Sequence, residues 1–289
     1  MSQTAPASGA RALPGLEALP SAEQVLPQAG RENFRVAGAV LGPRRARQLM
    51  AIYGFARLVD DVGDECGGDR GALLDLLELE LRRTFALEPG GPEHPLMRAL
   101  ELTVRECELP IGPFERLIEA NRRDQVVTRY DTFEQLLQYC QLSAAPVGEL
   151  VLGVFGAATP ERVALSDQVC NALQVVEHLQ DIAEDHARGR VYMPREDLER
   201  FGVSERELAD AARPSERLRA LIAFEAGRAR AMLASGAPLA RTLALGPRLA
   251  IAGYTAGGLR ALYELRLGFR GWRSRLFYLT AFARVAAGR

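Results

Sequence analysis

The 289-residue chain predicts an all-α protein, a single domain of many helices around a central cavity. Three observations carry this. From about residue 22 onward nearly every segment repeats its apolar residues at helical spacing, and β-branched alternation is scarce. Proline and glycine clusters cut that pattern into helix-length pieces, with no linker, internal repeat or low-complexity block after residue 20. Two aspartate pairs about 120 residues apart, each at four-residue spacing, sit within the helical pattern. Like charges stacked one turn apart repel, so the pairs suggest a cavity that holds cations.

Residues 1–20, rich in Ala, Pro, Gly and Ser, lack the compact apolar stretch of a secretory signal and are expected to form a disordered tail ahead of a domain spanning 21–289. A long helix is expected from Pro43, a residue suited to a first helical turn, to about Glu65, with Gly67-Gly68 ending it. Helices are then expected over 70–87, 95–108, 113–127 and 131–157, separated by Glu88-Pro-Gly-Gly-Pro92 and Leu109-Pro-Ile-Gly-Pro113. Pro146 should kink the last of these. Thr159-Pro160 reads as an N-cap followed by a first-turn proline, opening a helix to about Ala187 that Gly189 stops. Further helices are expected near 215–235, 243–268 and 274–287.

Composition narrows the function. The 48% apolar content supports a sizeable core. A net charge of −1 provides no basic field to track a phosphate backbone, which argues against nucleic acid as a partner. Cys66, Cys107, Cys140 and Cys170 are scattered without a CxxC pair, pointing to a reduced, cytoplasmic setting and away from structural zinc. His94, His178 and His186 form no ligand-spaced set. No apolar run reaches the roughly 18 residues of a membrane span.

On a helical projection Tyr53, Arg57, Asp60, Asp61 and Asp64 share an arc of roughly 100°, with Ile52, Phe55, Val59 and Val62 on the other face. The bland reading is a solvated face. Arg57 either grips a phosphate or neutralises Asp61 four residues on. Gln174, Glu177, Asp181, Asp185 and Arg188 cluster likewise, backed by Leu173, Val176, Leu179, Ile182 and Ala183. There the bland reading is a surface helix whose charges pair with Arg188 and Arg190. Two such clusters in one helical protein favour a paired metal site, since buried carboxylates without a cation would neutralise. Oxygen-only ligands favour Mg²⁺, which commonly bridges carboxylates to phosphates.

Three segments together resemble the squalene/phytoene synthase family, all-α enzymes that handle prenyl diphosphates head-to-head. They are Tyr53-x3-Arg57-x2-Asp60-Asp61-x2-Asp64-Glu65, Gln138-Tyr-Cys-Gln-Leu-Ser-Ala-Ala-Pro-Val-Gly148, and Gln180-Asp-Ile-Ala-Glu-Asp185 with Arg188-Gly-Arg-Val-Tyr-Met-Pro194. The similarity spans roughly residues 30–270 in the family's order and spacing. It implies an isoprenoid-synthase-type bundle whose two aspartate motifs face each other and hold Mg²⁺ against diphosphate. Carried over, Asp60, Asp61, Asp64, Asp181 and Asp185 become metal ligands or their close supports. Tyr53, Arg57, Tyr139, Arg190 and Tyr192 become the catalytic set, and an apolar tunnel behind them would take the prenyl tails.

Glu32-Asn-Phe-Arg-Val-Ala37, Ser143-Ala-Ala-Pro-Val-Gly148 and Gln180 ahead of Asp181 resemble one bacterial branch, the hydroxysqualene synthases of hopanoid biosynthesis. That branch implies presqualene diphosphate as substrate, loss of diphosphate, rearrangement of a cyclopropylcarbinyl cation and capture by water. Asn33, Phe34, Gln141, Gln174, Glu177, Gln180 and Arg188 are the expected substrate contacts. Tyr139, Gln141 and Gln174 are the candidates for positioning the water, and the sequence does not choose among them. Glu177 and Ala145 depart from the pattern, each standing where asparagine is usual. The greasy product implies peripheral membrane contact and handover to other enzymes of the squalene pathway.

The rival readings are weaker. Asp60-Asp61-Val-Gly-Asp64 is literally a DDxxD, as in head-to-tail prenyltransferases, but Glu65-Cys-Gly-Gly68 follows in place of their Arg-Arg-Gly run. Presqualene diphosphate or phytoene synthesis by condensation remains within the family. A non-catalytic assembly protein would be expected to have eroded the aspartates, which both motifs keep. No D-x-D-x-D-G loop supports a calcium site, and no GxGxxG supports a dinucleotide.

Overall fold

A computed structural model describes residues 15–30, 35–267 and 272–287. Among them lie fourteen α-helices: α1 Ala22–Val25, α2 Arg35–Asp64, α3 Arg70–Thr84, α4 Pro95–Cys107, α5 Gly112–Asp124, α6 Phe133–Ser143, α7 Ala145–Val154, α8 Pro160–Gln180, α9 Ile182–Ala187, α10 Arg195–Phe201, α11 Glu205–Leu208, α12 Glu216–Gly236, α13 Leu245–Leu267 and α14 Trp272–Ala286. The described residues contain no strand, only an isolated parallel bridge between Arg129 and Val191. The all-α expectation holds. None of these helices is long and apolar enough to cross a membrane.

The expected breaks have physical counterparts. Gly42 interrupts α2 with non-helical angles (φ 77°, ψ 166°), so the segment bearing the first aspartates restarts at Pro43. The helix expected over 131–157 is two, divided at Ala144. Pro146 has no N–H to give the carbonyl of Leu142 and its ring crowds that oxygen, so a continuous helix would be strained there. Thr159 caps α8 by accepting from the Arg162 N–H, with Pro160 in the first turn.

Asp181 adopts φ −105°, ψ 13° and separates α8 from α9, which the sequence reads as one helix. Hydrogen bonds from Asp181 N–H to Glu177 O (3.0 Å) and from Asp185 N–H to Asp181 O (2.8 Å) carry the helical register across this point. Asp181 and Asp185 therefore stay one turn apart despite the kink. The boundary of the expected tail shifts inward. Residues 16–18 form a 3₁₀ turn, Leu19 is buried, and the Pro20 carbonyl meets His94 Nε2 at 3.1 Å. Burying one apolar side chain and satisfying that carbonyl draws residues 15–20 onto the domain; residues 1–14 lie outside the described residues.

Two apolar clusters build the core. The first joins α2 to α3, α5, α7 and α13 through residues such as Phe55, Leu77 and Phe114, with Phe55 and Phe114 edge-on at 5.1 Å. The second joins α6, α8 and α12 through Leu136, Val176 and Leu221. Fully burying a side chain of this size contributes about 1.5–3 kcal/mol, so the clusters dominate the stability of the bundle.

The chain after α9 is tied to the chain after α5. The Val191 N–H donates to the Thr128 carbonyl, the Arg195 N–H donates to the Tyr130 carbonyl, both at 2.9 Å, and Arg129 Nη1 reaches the Gly189 carbonyl at 2.6 Å. These bonds hold residues 189–194 at the seam between the two clusters. Gly189, at φ +81°, ends the helical run as its position in the sequence predicts.

Close packing of α8 on α12 depends on Gly236. A Cβ there would lie 2.6 Å from Val169 Cγ2 and 2.8 Å from the Leu165 carbonyl oxygen. Gly227, on the same helix, has no atom within 4 Å of its would-be Cβ. Gly236→Ala is expected to destabilise by about 1–3 kcal/mol through overpacking against backbone. Gly227→Ala is expected to stabilise by roughly 0.5–1 kcal/mol, since alanine costs less backbone entropy in a helix. Urea denaturation of both variants checks the pair of opposite signs.

Candidate active site

At the seam, α2, α5, α6, α8, α9 and the 188–192 segment enclose a cavity of about 400 Å³. Arg57, Asp60 and Asp64 line one side, Gln174, Glu177, Asp181, Asp185 and Arg188 the other, with Tyr139, Arg190 and Tyr192 between them. The two acidic clusters of the sequence thus share one wall-to-wall space. Arg190, from the second motif, donates to Asp64 Oδ1 of the first at 2.6 Å.

Consecutive residues of a helix point about 100° apart, so Asp60 and Asp61 cannot both face the cavity. Asp60 does. Asp61 turns away, is buried, and is held by Arg57 Nε at 2.7 Å and Gln28 Nε2 at 3.2 Å. Arg57 also bonds Glu65 Oε1 at 3.2 Å, so its charge is engaged by the acids of its own helix. Tyr53 is buried off the cavity wall. Gln180 is exposed and also off the wall. Gln141 lines a separate groove with Phe133, Gln168, Asn171 and Arg228. Asn33 and Phe34 lie outside the described residues. Leu117 and Ala120 are the aliphatic part of the cavity wall among the described residues.

Several residues that reading the sequence passed over complete the site. Asn121 Nδ2 donates to Asp60 Oδ1 at 3.1 Å. The glycine inside the first motif makes that possible, because a Cβ on Gly63 would fall 2.0 Å from Asn121 Oδ1. Asp124 accepts from the Tyr139 hydroxyl at 2.5 Å and the Tyr192 hydroxyl at 3.3 Å. His178 stacks on Tyr192 with ring centres 3.8 Å apart. Asn121 and Asp124 had a signal: two polar residues on the same stripe of α5 as Phe114, Leu117 and Ile118. His178 had a weaker one, four residues after Gln174.

Crowded carboxylates leave an electrostatic imprint. Burial, with repulsion from Asp64 and Asp61, pushes Asp60 up to about 7 even though Asn121 and Arg57 favour its anion. Burial lifts Asp124 to about 6 against the pull of the Tyr139 hydroxyl and Arg190. Asp181 is raised by burial and then by Asp185 and Glu184. Each shift arises first from desolvation, which disfavours the anion, and for Asp60 and Asp181 neighbouring carboxylates add to it. Such shifts gathered in one cavity make it the candidate active site.

The family model of squalene/phytoene synthase matches residues 28–281. The chain belongs to the squalene/phytoene synthase family. Its members act on prenyl diphosphates, and their fold is the isoprenoid-synthase type of helical bundle. Similar members include the hydroxysqualene synthase of Rhodopseudomonas palustris, 35% identical over 213 residues (72% of this chain, 70% of the relative). The 15-cis-phytoene synthase of Synechococcus elongatus is 34% identical over 248 residues, covering 80% and 78%. Among solved structures, the squalene synthase HpnC of Alicyclobacillus acidocaldarius superposes with a TM-score of 0.76 at 44% identity, covering 84% of this chain and 91% of that one. In this squalene/phytoene synthase-family chain, both acidic motifs fall inside the matched region.

The Asp60 shift carries a signed prediction. A carboxyl raised from 3.8 to about 7 binds its proton more tightly folded than unfolded. Its stabilising contribution is therefore full below about pH 4 and lost as pH rises to about 7. Asp60→Asn, which has no proton to lose, should melt at a higher temperature than the metal-free native chain at pH 8. That advantage should shrink steadily towards pH 4 in thermal melts.

Proposed function

We propose that this chain converts presqualene diphosphate to hydroxysqualene, with Mg²⁺ bound between the two acidic motifs. The observation that carries the reading is the meeting of Asp60 and Asp64 with Asp181 and Asp185 around one cavity, with arginines at its edge. The donor set fits the ion: it is all oxygen, and two of its aspartates are raised in a way a cation would relieve. Among the described residues no three acidic, histidine or cysteine side chains converge on one point. Asp60, Asp64, Asp181 and Asp185 would therefore share their ions with diphosphate and water oxygens, the coordination Mg²⁺ favours. When bound, Mg²⁺ supplies charge that favours departure of the diphosphate.

The protein's own groups supply the rest. Arg190 lines the cavity and is held there by Asp64, and its other N–H donors would serve a diphosphate. Arg188, paired with Glu184 at 3.0 Å, stands at the rim. Tyr139 and Tyr192 are on the cavity wall, and aromatic rings there suit a carbocation left after ionisation. Asp124 accepts a hydrogen bond from each hydroxyl, which fixes the orientation of the two rings. Tyr53, Asp61, Gln141 and Gln180 fit supporting roles outside the cavity better than contact with the reacting centre. An apolar C30 product would leave by a membrane surface or by handover to the enzyme that consumes it.

The choice of step follows the residues beside the motifs and the similarity to hydroxysqualene synthases. A second reading, head-to-head condensation of two prenyl diphosphates, is favoured by the comparable similarity to phytoene synthase. Purified protein with Mg²⁺ should be offered farnesyl diphosphate and presqualene diphosphate separately. Hydroxysqualene from the second and no product from the first is the expected result; presqualene diphosphate made from the first would sink the proposal. Asp60→Asn and Asp181→Asn should each lower Mg²⁺-dependent turnover by at least about 10²-fold, in line with loss of a group that stabilises developing charge. Their circular dichroism should keep the native helical signal, and full activity in both would refute the metal assignment.

A further inference from the structure

Of the three residues that the sequence offers for positioning water, the fold removes two. Gln141 faces the separate groove between α6, α8 and α12. Tyr139 gives its hydroxyl hydrogen to Asp124. Gln174 remains, on the cavity wall and half-buried. Its amide nitrogen lies 3.4 Å from His178 Nε2. With the amide in this orientation its nitrogen donates to Nε2, which leaves Nδ1 as the ring nitrogen that carries a proton. That nitrogen is the one nearest Asp185, 3.8 Å from Oδ2. Stacking on Tyr192 at 14° between ring planes fixes the buried imidazole. Gln174 is thereby aimed, with its carbonyl oxygen left to accept from another donor.

A second feature of the same wall points to what that donor is. Ser143, at the end of α6, lines the cavity, yet its Oγ is covered from solvent and has no hydrogen-bond partner. It does not even bond back to its own helix, the usual recourse of a helical serine. A buried hydroxyl left unsatisfied costs about 1–3 kcal/mol, which a bound water would recover. Buried waters sit where two or more polar groups converge, and α6 and α8 are packed neighbours.

We infer that Ser143 and Gln174 hold the water that captures the carbocation, and that His178 is the positioning residue that aims Gln174. The inference rests on the proposed conversion of presqualene diphosphate. In the step, a lone pair of the water oxygen forms the C–O bond to the rearranged cation, and the resulting oxonium gives one proton to the released diphosphate. Without a held water, the same diphosphate takes a proton from the carbon next to the cation. The product is then a hydrocarbon with one additional C=C bond.

The test is the ratio of alcohol to hydrocarbon per diphosphate released from presqualene diphosphate, a quantity that overall rate does not move. Ser143→Ala, Gln174→Leu and His178→Phe should each lower it by about tenfold, the effect of losing one ordinary hydrogen bond. Phenylalanine keeps an aromatic ring against Tyr192 and loses both ring nitrogens, so a His178 that acts only through its stack would leave the ratio unchanged. Ser143→Ala removes an unsatisfied atom and is expected to fold at least as stably as the native chain, which keeps the test open if another variant misfolds. Alcohol from the native enzyme with an unchanged ratio in Ser143→Ala or Gln174→Leu overturns this assignment alone. A native enzyme that forms no alcohol overturns both it and the proposed function.

Discussion

Arg190 and Asp64 are 126 residues apart in the chain and meet at 2.6 Å. Around this contact the protein gathers Asp60, Asp124, Glu177, Asp181, Glu184 and Asp185, with far fewer cations than anions. In the absence of other charges the gathering is unfavourable, as the raised Asp60, Asp124 and Asp181 record. The bundle must therefore hold the carboxylates together by apolar burial elsewhere. The two core clusters do so, one on each side of the cavity, and the bonds between residues 128–130 and 191–195 close the seam. Stability made in the core confines charge at the site, which is what the proposed uptake of cations with an anionic ligand requires.

An aromatic group adjoins the acidic wall, and Tyr139, His178 and Tyr192 of it line the cavity. Tyr130, Tyr139, Tyr192 and His178 form a continuous aromatic patch with ring centres 3.8–6.3 Å apart. Asp124 beneath it accepts two of the hydroxyls. In the proposed reaction an aromatic surface there would attract the carbocation through its ring faces. The same arrangement explains why Asp124, far from either acidic motif in the sequence, belongs to the site.

Much of this was legible in the residues. Helical periodicity and Pro/Gly punctuation placed the principal helices, because burial on one face and backbone restriction are local properties. The four-residue spacing of Asp60/Asp64 and Asp181/Asp185 marked the site, since a regular helix converts that spacing into a shared face. What local reasoning overreached on was equally physical. An arc of roughly 100° admits residues at its edges that packing then turns away, as with Tyr53 and Asp61. Gln141 and Gln180 share segments with true wall residues yet point elsewhere, because neighbours on a helix do not share a direction. Pro146 was expected to bend a helix and instead divides it.

The sequence by itself determined the fold class, the helical register of both acidic motifs and the family resemblance, all of which depend on spacing along one chain. Only the tertiary structure decided which carboxylates face one another and that Arg57 is engaged by Asp61 and Glu65. It also brought Asn121, Asp124, Ser143 and His178 into the site. Those outcomes depend on how α2, α5, α6 and α8 approach in space. Gly63 sets one such approach by leaving room for Asn121, and no spacing within a single helix encodes it.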